Sequence, residues 1–362
     1  MLKFISALSM ASMDEIAHNA GNNVNTIGFP GLGWVFNINE TAFSLFGLKI
    51  QWYGIILALG ICAAFLLFYR NATKKEGIDE DSIFNVALFT VPIAIIGARF
   101  FYVITSWDKF KHRSFLDMIN IREGGIAIYG AIIFGLLTVL IYNKVTKKSA
   151  LSMLDALAPA VMLGQLIGRW GNFVNAEAYG YSSGLESLPW RMWVEEVHID
   201  GVLQKGEHLV HPTFLYESLW NLIGLVLIMA VLYRKKKFKG EIFCAYMGWY
   251  GLGRAFIECL RSDSLYIVYP IKFSVFVGAV AFIAAIILAV VFYKKSQNGE
   301  EITEPAAPPA PDYTEEEEAE ELGEYDHVTL AEQALLDGDA DDLAAALNDI
   351  DTEDEETEEQ GE

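Results

Sequence analysis

Seven long apolar runs leave few architectures open to this chain. They are Ile50–Tyr69, Ile83–Ile104, Gly125–Tyr142, Leu151–Ile167, Phe214–Tyr233, Ile242–Glu258 and Phe273–Tyr293. Several reach the length of about 20 residues that spans hydrocarbon. A backbone in lipid must satisfy its own hydrogen bonds, so such runs become helices. The expected fold class is therefore an all-α polytopic membrane protein with seven transmembrane helices. Connections are short except for Gly168–Thr213, a polar and aromatic stretch that is the natural lobe outside the membrane. We divide the chain into an interfacial N-terminal segment, 1–49, whose first twenty or so residues are loose. A transmembrane domain, 50–293, with its lobe at 168–213, and a tail, 294–362, follow.

Charge supports this division. The net charge of -21 hides an asymmetry, because Ser296–Glu362 holds 26 of the 47 acids and no Lys or Arg. The tail, with its prolines at 305, 308, 309 and 311 and its glutamate runs, is expected to be disordered. Orientation follows the basic residues. With the N-terminus outside and the C-terminus inside, the inner clusters include five basic residues between 234 and 239. Lys109, Lys111 and Arg113 run against that bias. The three cysteines, Cys62, Cys244 and Cys259, all lie in apolar runs and give neither a disulfide framework nor a metal pattern. The short start, broken by Ser6, Ser9 and Ser12, is a poor signal peptide.

On this topology the unusual residues gather at one level. The fourth run leaves the membrane as Gly168-Arg169-Trp170-Gly171-Asn172-Phe173-Val174-Asn175-Ala176-Glu177-Ala178-Tyr179-Gly180. The first run opens with Trp52-Tyr53-Gly54. The third opens with Glu123-Gly124-Gly125-Ile126-Ala127-Ile128-Tyr129-Gly130, and the fifth with His211-Pro212-Thr213-Phe214-Leu215-Tyr216-Glu217. The sixth ends with Arg254, Glu258 and Arg261, which share one helical face. Arg99 lies in the outer half of the second. The inner ends carry nothing beyond ordinary lysines. Singly, each feature has a plain alternative: a snorkelling Arg169, a structural Arg254–Glu258 pair, or belt tyrosines. Together they are hard to explain that way, because an arginine at the membrane centre costs about 2.5–3.5 kcal/mol on insertion scales.

Arginines with amide donors at headgroup depth suit a lipid phosphate, whose oxygens the guanidinium fork pairs two at a time. The membrane body has no acid cluster to hold Mg²⁺, which disfavours a metal-dependent lipid-phosphate enzyme. A serine lipase elbow is also missing. No metal, cofactor or nucleic-acid partner is expected.

These motifs, in order over about residues 28–293, closely resemble the bacterial prolipoprotein diacylglyceryl transferase family. The resemblance implies a bacterial plasma-membrane enzyme working at the extracytoplasmic face. Its partners would be phosphatidylglycerol and preprolipoprotein signal peptides bearing a lipobox cysteine. It would attach the diacylglyceryl group to that cysteine as a thioether and release glycerol 1-phosphate, before signal-peptide cleavage. The family's lipid-binding arginine maps to Arg169 and its second essential arginine to Arg254. Tyr53, Asn172, Glu177, Gly180 and Glu258 match other functional positions. One departure is Tyr129, which stands where many members have a histidine once proposed as the base. A tyrosine with a pKa near 10 is a poor base.

In the mechanism this implies, Arg169 clamps the phosphate and Arg254 neutralises the leaving group. Asn172 and Tyr53 orient the headgroup, with His211, Gly180 and Arg261 around the substrate. Glu177, Glu258, His211 and Tyr129 are the candidates for the thiol proton. A lipid transporter or scramblase is the rival of a different class, and it would need polar residues along a path to both faces. A second rival, another phospholipid headgroup transferase, would want metal-binding acids.

Overall fold

A computed structural model describes residues 24–298, apart from 121–123, 182–184, 186, 200–201, 263–265 and 269–270. The expectations for the loose start and for nearly all of the tail lie outside the described residues.

Each apolar run forms a helix. These are α1 Trp52–Glu76, α2 Glu80–Thr105, α3 Ile128–Val145, α4 Ala150–Val174, α5 Thr213–Leu227, α6 Glu241–Leu260 and α7 Phe273–Gln297. Several outrun the apolar run that predicts them. Helix α1 continues through Arg70, Lys74 and Lys75 until Gly77, whose φ of 65° ends it in a left-handed cap. Helix α2 starts on Asp79, whose side chain accepts from Ser82 N. Helix α5 runs on through a π turn, Ile228–Leu232, and a 3₁₀ turn, Tyr233–Lys235.

Six of the seven helices are long and apolar enough to cross a membrane; α6 is the exception. Its 20 residues include Arg254, Glu258, three glycines and two tyrosines. It packs against α7, α4 and α5, so protein rather than lipid shelters much of its polar face.

The all-α expectation holds for the helical bundle and fails outside it. The described parts of the N-terminal segment and of the lobe include strands. They are β1 Val24–Phe29, β2 Trp34–Asn39, β3 Thr41–Leu45, β4 Leu48–Gln51, β5 Met192–Ile199 and β6 Val202–Val210, with two short ones, β7 Tyr266–Val268 and β8 Ile271–Lys272. Strands β2-β1-β5-β6 form one antiparallel sheet, in which Ile27 faces Val194 and Gly28 faces Trp193. Branched and aromatic residues suit this pleated surface. The β1–β2 turn presses on the lobe so closely that a Cβ on Gly31 would lie 2.1 Å from the Pro189 carbonyl oxygen. Ile27, Phe29, Met192, Val194 and Val210 pack with Tyr179, Phe214 and Phe173, seating the sheet on the end of α4 and the start of α5.

The opposite end of the bundle corrects a second expectation, since it carries more than lysines. Asp155 of α4 is fully buried. Its carboxylate accepts from the Gly240 and Phe243 backbone N–H groups at 2.7 and 2.8 Å, capping α6 from a neighbouring helix. Lys236 lies 2.7 Å from Asp155 and 2.6 Å from Glu76. Tyr233 donates to the Asp155 carbonyl at 2.7 Å. Polar groups thus occur at both ends, but this network ties α1, α4 and α6 together with its bonds made internally.

Helices α5 and α6 are joined by a reciprocal clasp. Trp220 Nε1 donates to the Trp249 carbonyl and Trp249 Nε1 to the Trp220 carbonyl, both at 2.9 Å. The indoles stack with centroids 4.5 Å apart and planes 23° from parallel. Each lies on the glycine four residues beyond its partner. A Cβ on Gly253 would be 2.1 Å from Trp220 Nε1, and one on Gly224 would be 2.4 Å from Trp249 Nε1. Overpacking of this kind costs about 1–3 kcal/mol, so Gly253→Ala should lower the thermal unfolding midpoint in detergent by several degrees. Gly164→Ala is the control, because its nearest neighbour would be the Ala64 Cβ at an ordinary 3.7 Å. It should be neutral or slightly stabilising.

Candidate active site

The end of α4 supplies the first half of the site. After Asn175 the chain turns sharply through Ala176 and Ala178, both in the left-handed region with φ of 48° and 57°. That conformation costs a residue with a Cβ about 1–2 kcal/mol. It is held by backbone bonds from Ala176 N to Phe173 O and from Glu177 N to Asn172 O, each 3.0 Å. Thr213 Oγ1 also donates to the Ala178 carbonyl. The turn brings Glu177 back over the helix end. Asn172 Nδ2 donates to Glu177 Oε1 at 2.9 Å, and Arg169 Nη1 donates to Asn172 Oδ1 at 3.1 Å.

The second half is built on Glu217 in the first turns of α5. Its side chain is only 5% exposed, and Oε2 lies 2.5 Å from Arg169 Nη2. Its Oε1 lies 2.8 Å from Arg254 Nη1 and 3.5 Å from Arg261 Nη1. Glu258 provides a second carboxylate, 2.8 Å from Arg254 Nη2 and 3.8 Å from Arg261 Nε. Lys272 fixes the end of α6 by donating to the carbonyls of Glu258 and Arg261 at 2.8 and 2.6 Å. Among the described residues, three guanidinium groups thus gather on two buried carboxylates. Arg169 and Arg254 keep 20% and 18% of their side-chain surface exposed, so both can meet a further anion.

Tyr53 joins this group. Its ring lies against Gly171, where a Cβ would be 2.8 Å away, and it is in electrostatic reach of Glu177 and Arg169. Gly180 is a point of close approach: it bridges to Arg261, and a Cβ there would lie 2.6 Å from the Leu260 carbonyl oxygen.

Two candidates are bonded elsewhere. Tyr129 Oη pairs with Ser274 Oγ at 3.2 Å, at the contact between the starts of α3 and α7. His211 Nδ1 pairs with Tyr216 Oη at 3.1 Å, and Trp190 Nε1 donates to the same oxygen at 3.0 Å. Burial pushes the His211 imidazole below its ordinary pKa, so it is neutral at pH 7. Arg99 does not join the other arginines. Its guanidinium donates to the carbonyls of Asp117, Met118, Gly124 and Gly125 at 2.7–2.8 Å, which fixes the approach to α3.

In the sequence Glu217 stands within a motif and has no role of its own. A signal was present, because a carboxylate one turn into an apolar helix needs a cationic partner, and Arg169 and Arg254 stand at its level. Tyr250, in electrostatic reach of Arg254, Glu217, Arg169 and Tyr129, was also missed.

A family model described as prolipoprotein diacylglyceryl transferase matches residues 40–291. The chain is 42% identical over 258 residues to the phosphatidylglycerol–prolipoprotein diacylglyceryl transferase of Finegoldia magna, covering 71% of this chain and 97% of that protein. It is 38% identical over 261 residues to the protein of the same name from Clostridioides difficile, covering 72% and 98%. With the Enterococcus faecalis protein of that name it shares 39% identity over 282 residues, covering 74% and 98%.

Glu217→Gln should remove the carboxylate that Arg169, Arg254 and Arg261 share. Breaking a fully buried pair costs about 3–5 kcal/mol, and the partial exposure of the arginines reduces this. A clear drop in unfolding midpoint is expected, with little change for Glu177→Gln, because Glu177 is exposed and bonds neutral amides. His211 gives a pH test. Its folded pKa is depressed, so its contribution is complete above the unfolded value of about 6.5 and is lost as pH falls through the folded value. Melting curves between about pH 7 and pH 5 should show this loss in the parent protein and less of it in His211→Gln.

Proposed function

The chain belongs to the prolipoprotein diacylglyceryl transferase family, and from that premise we propose that it moves the diacylglyceryl group of phosphatidylglycerol onto the lipobox cysteine of preprolipoproteins. The protein is a multi-pass membrane transferase. In our reading α6 is a seventh span, the N-terminus is outside, and the arginine cluster faces the extracytoplasmic side. The basic cluster at 234–239 supports that orientation.

The observation that carries the reading is the set of three arginines on two buried carboxylates, with Arg169 and Arg254 still partly open. The lipid phosphate binds Arg169 and Arg254 on their exposed edges, while Glu217 keeps their planes oriented from behind. Tyr53 and Asn172 border the headgroup. The cysteine sulfur attacks the glycerol carbon that bears the phosphate. A C–S bond forms, the C–O bond breaks, and glycerol 1-phosphate leaves with the electron pair. The two arginines meet the charge that develops on the leaving oxygen. Of the candidate bases, Glu258 is held by Arg254, Tyr129 by Ser274 and His211 by Tyr216. Glu177 is exposed and accepts from amides of Asn172 and Asn175. We assign it the thiol proton, with the neighbouring arginines favouring thiolate.

Purified protein given radiolabelled phosphatidylglycerol and a lipobox peptide should form a thioether product. Arg169→Ala should reduce turnover by about 10²–10³-fold, the range for loss of one electrostatic stabiliser. Glu177→Gln should slow turnover and shift its acid limb, whereas Tyr129→Phe should stay near the parent rate. Absence of thioether from the parent protein would sink the reading, and a large loss in Tyr129→Phe would move the proton to the phenol.

A further inference from the structure

Beneath the arginines, α4 and α6 carry polar side chains that the reaction above does not use. Gln165 precedes Arg169 by four residues. Tyr250 and Tyr246 precede Arg254 by four and eight. Steps of four stay on one helical face and descend about 6 Å each. A polar stripe therefore runs from the arginines into the apolar body, where such groups need partners. Gln165 Nε2 donates to Tyr246 Oη at 3.0 Å and links the two helices. The Tyr246 and Tyr250 rings stack at 5.9 Å and 19°, and Tyr250 is in electrostatic reach of Arg169, Arg254 and Glu217. Gln165 and Tyr246 are only partly buried.

The bond from Gln165 occupies a lone pair of the Tyr246 oxygen. With the Gln165 amide turned this way its oxygen is buried without a partner and the Tyr246 hydroxyl donates to none of the described residues, so the pair holds a donor still in need of an acceptor. An unmet hydroxyl in an apolar setting costs about 1–3 kcal/mol, which an incoming acceptor would recover. The polar layer of one leaflet is roughly 5–7 Å thick. In a phospholipid whose phosphate sits on Arg169, the ester carbonyls therefore lie about one helical turn deeper, at the level of Gln165.

We infer that Tyr246, positioned by Gln165, donates its hydroxyl to an ester carbonyl of the diacylglyceryl group, so that the site selects diester over diether lipid. This rests on the phosphate binding at Arg169 and Arg254. The contact would anchor the glycerol at two depths, phosphate above and carbonyl below, and fix the carbon between them for attack by sulfur.

The test compares dioleoyl phosphatidylglycerol with its dioleyl diether analogue, using the same lipobox peptide. The parent protein should favour the diester about tenfold in kcat/KM, the upper range for one hydrogen bond. Tyr246→Phe keeps the ring stack, so its melting midpoint should hold. Its diester rate should fall to the diether rate while the diether rate stays unchanged. Gln165→Leu should lose part of the preference. Equal use of both lipids by the parent, or an equal loss on both in Tyr246→Phe, would overturn the inference. Thermal stabilisation by each lipid reads the same contact without turnover. Preferential stabilisation by diester with no thioether formed would reject the transfer reaction and keep the carbonyl contact. Equal stabilisation with normal thioether formation would do the reverse.

Discussion

A carboxylate buried among three guanidinium groups governs this molecule. Glu217 stands near the start of α5, where an unpaired charge would not be tolerated, and Arg169, Arg254 and Arg261 would be equally unfavourable without it. Their pairing fixes the end of α4, the start of α5 and the end of α6 relative to one another. Among the described residues two carboxylates gather three cations, and Arg169 and Arg254 keep part of their surface exposed. In that sense one electrostatic arrangement serves both the fold and the site.

The rest of the bundle keeps that arrangement in register. The tryptophan clasp sets α5 against α6 directly beside the bridge, since Trp220 follows Glu217 by three residues and Gly253 precedes Arg254. The Asp155 network caps α6 at its other end and ties it to α4 and α1. The four-stranded sheet packs on the ends of the helices that carry Arg169 and Glu217. The two polar ends therefore differ in kind. One ties Asp155 and Glu76 to Lys236, and the other gathers three arginines on two carboxylates.

Much of this was legible in the sequence. Hydrocarbon permits only self-satisfied backbone, so seven apolar runs announce seven helices, and their ends gather Arg169, Asn172, Arg254, Glu258 and Tyr53. What stayed hidden depends on partners rather than on local pattern. The strands are short and separated by turns, and β1 pairs with β5 across more than 160 residues of chain. Arg99 looks like a site residue until four backbone carbonyls claim it. Glu217 looks like part of a motif until the packing of three helices makes it a hub. The lysines at the opposite end of the bundle look alike until Lys236 is seen between Asp155 and Glu76. The spacing of a single helix cannot reveal such encounters.

The proposed transfer depends on where the lipid phosphate binds. An experimental structure in a lipid bilayer, with phosphatidylglycerol bound, measures this directly. The phosphate should lie within hydrogen-bond distance of Arg169 and Arg254, with Glu217 still bridging from behind. A phosphate bound elsewhere, with the arginines closed on Glu217 and Glu258, would contradict the account.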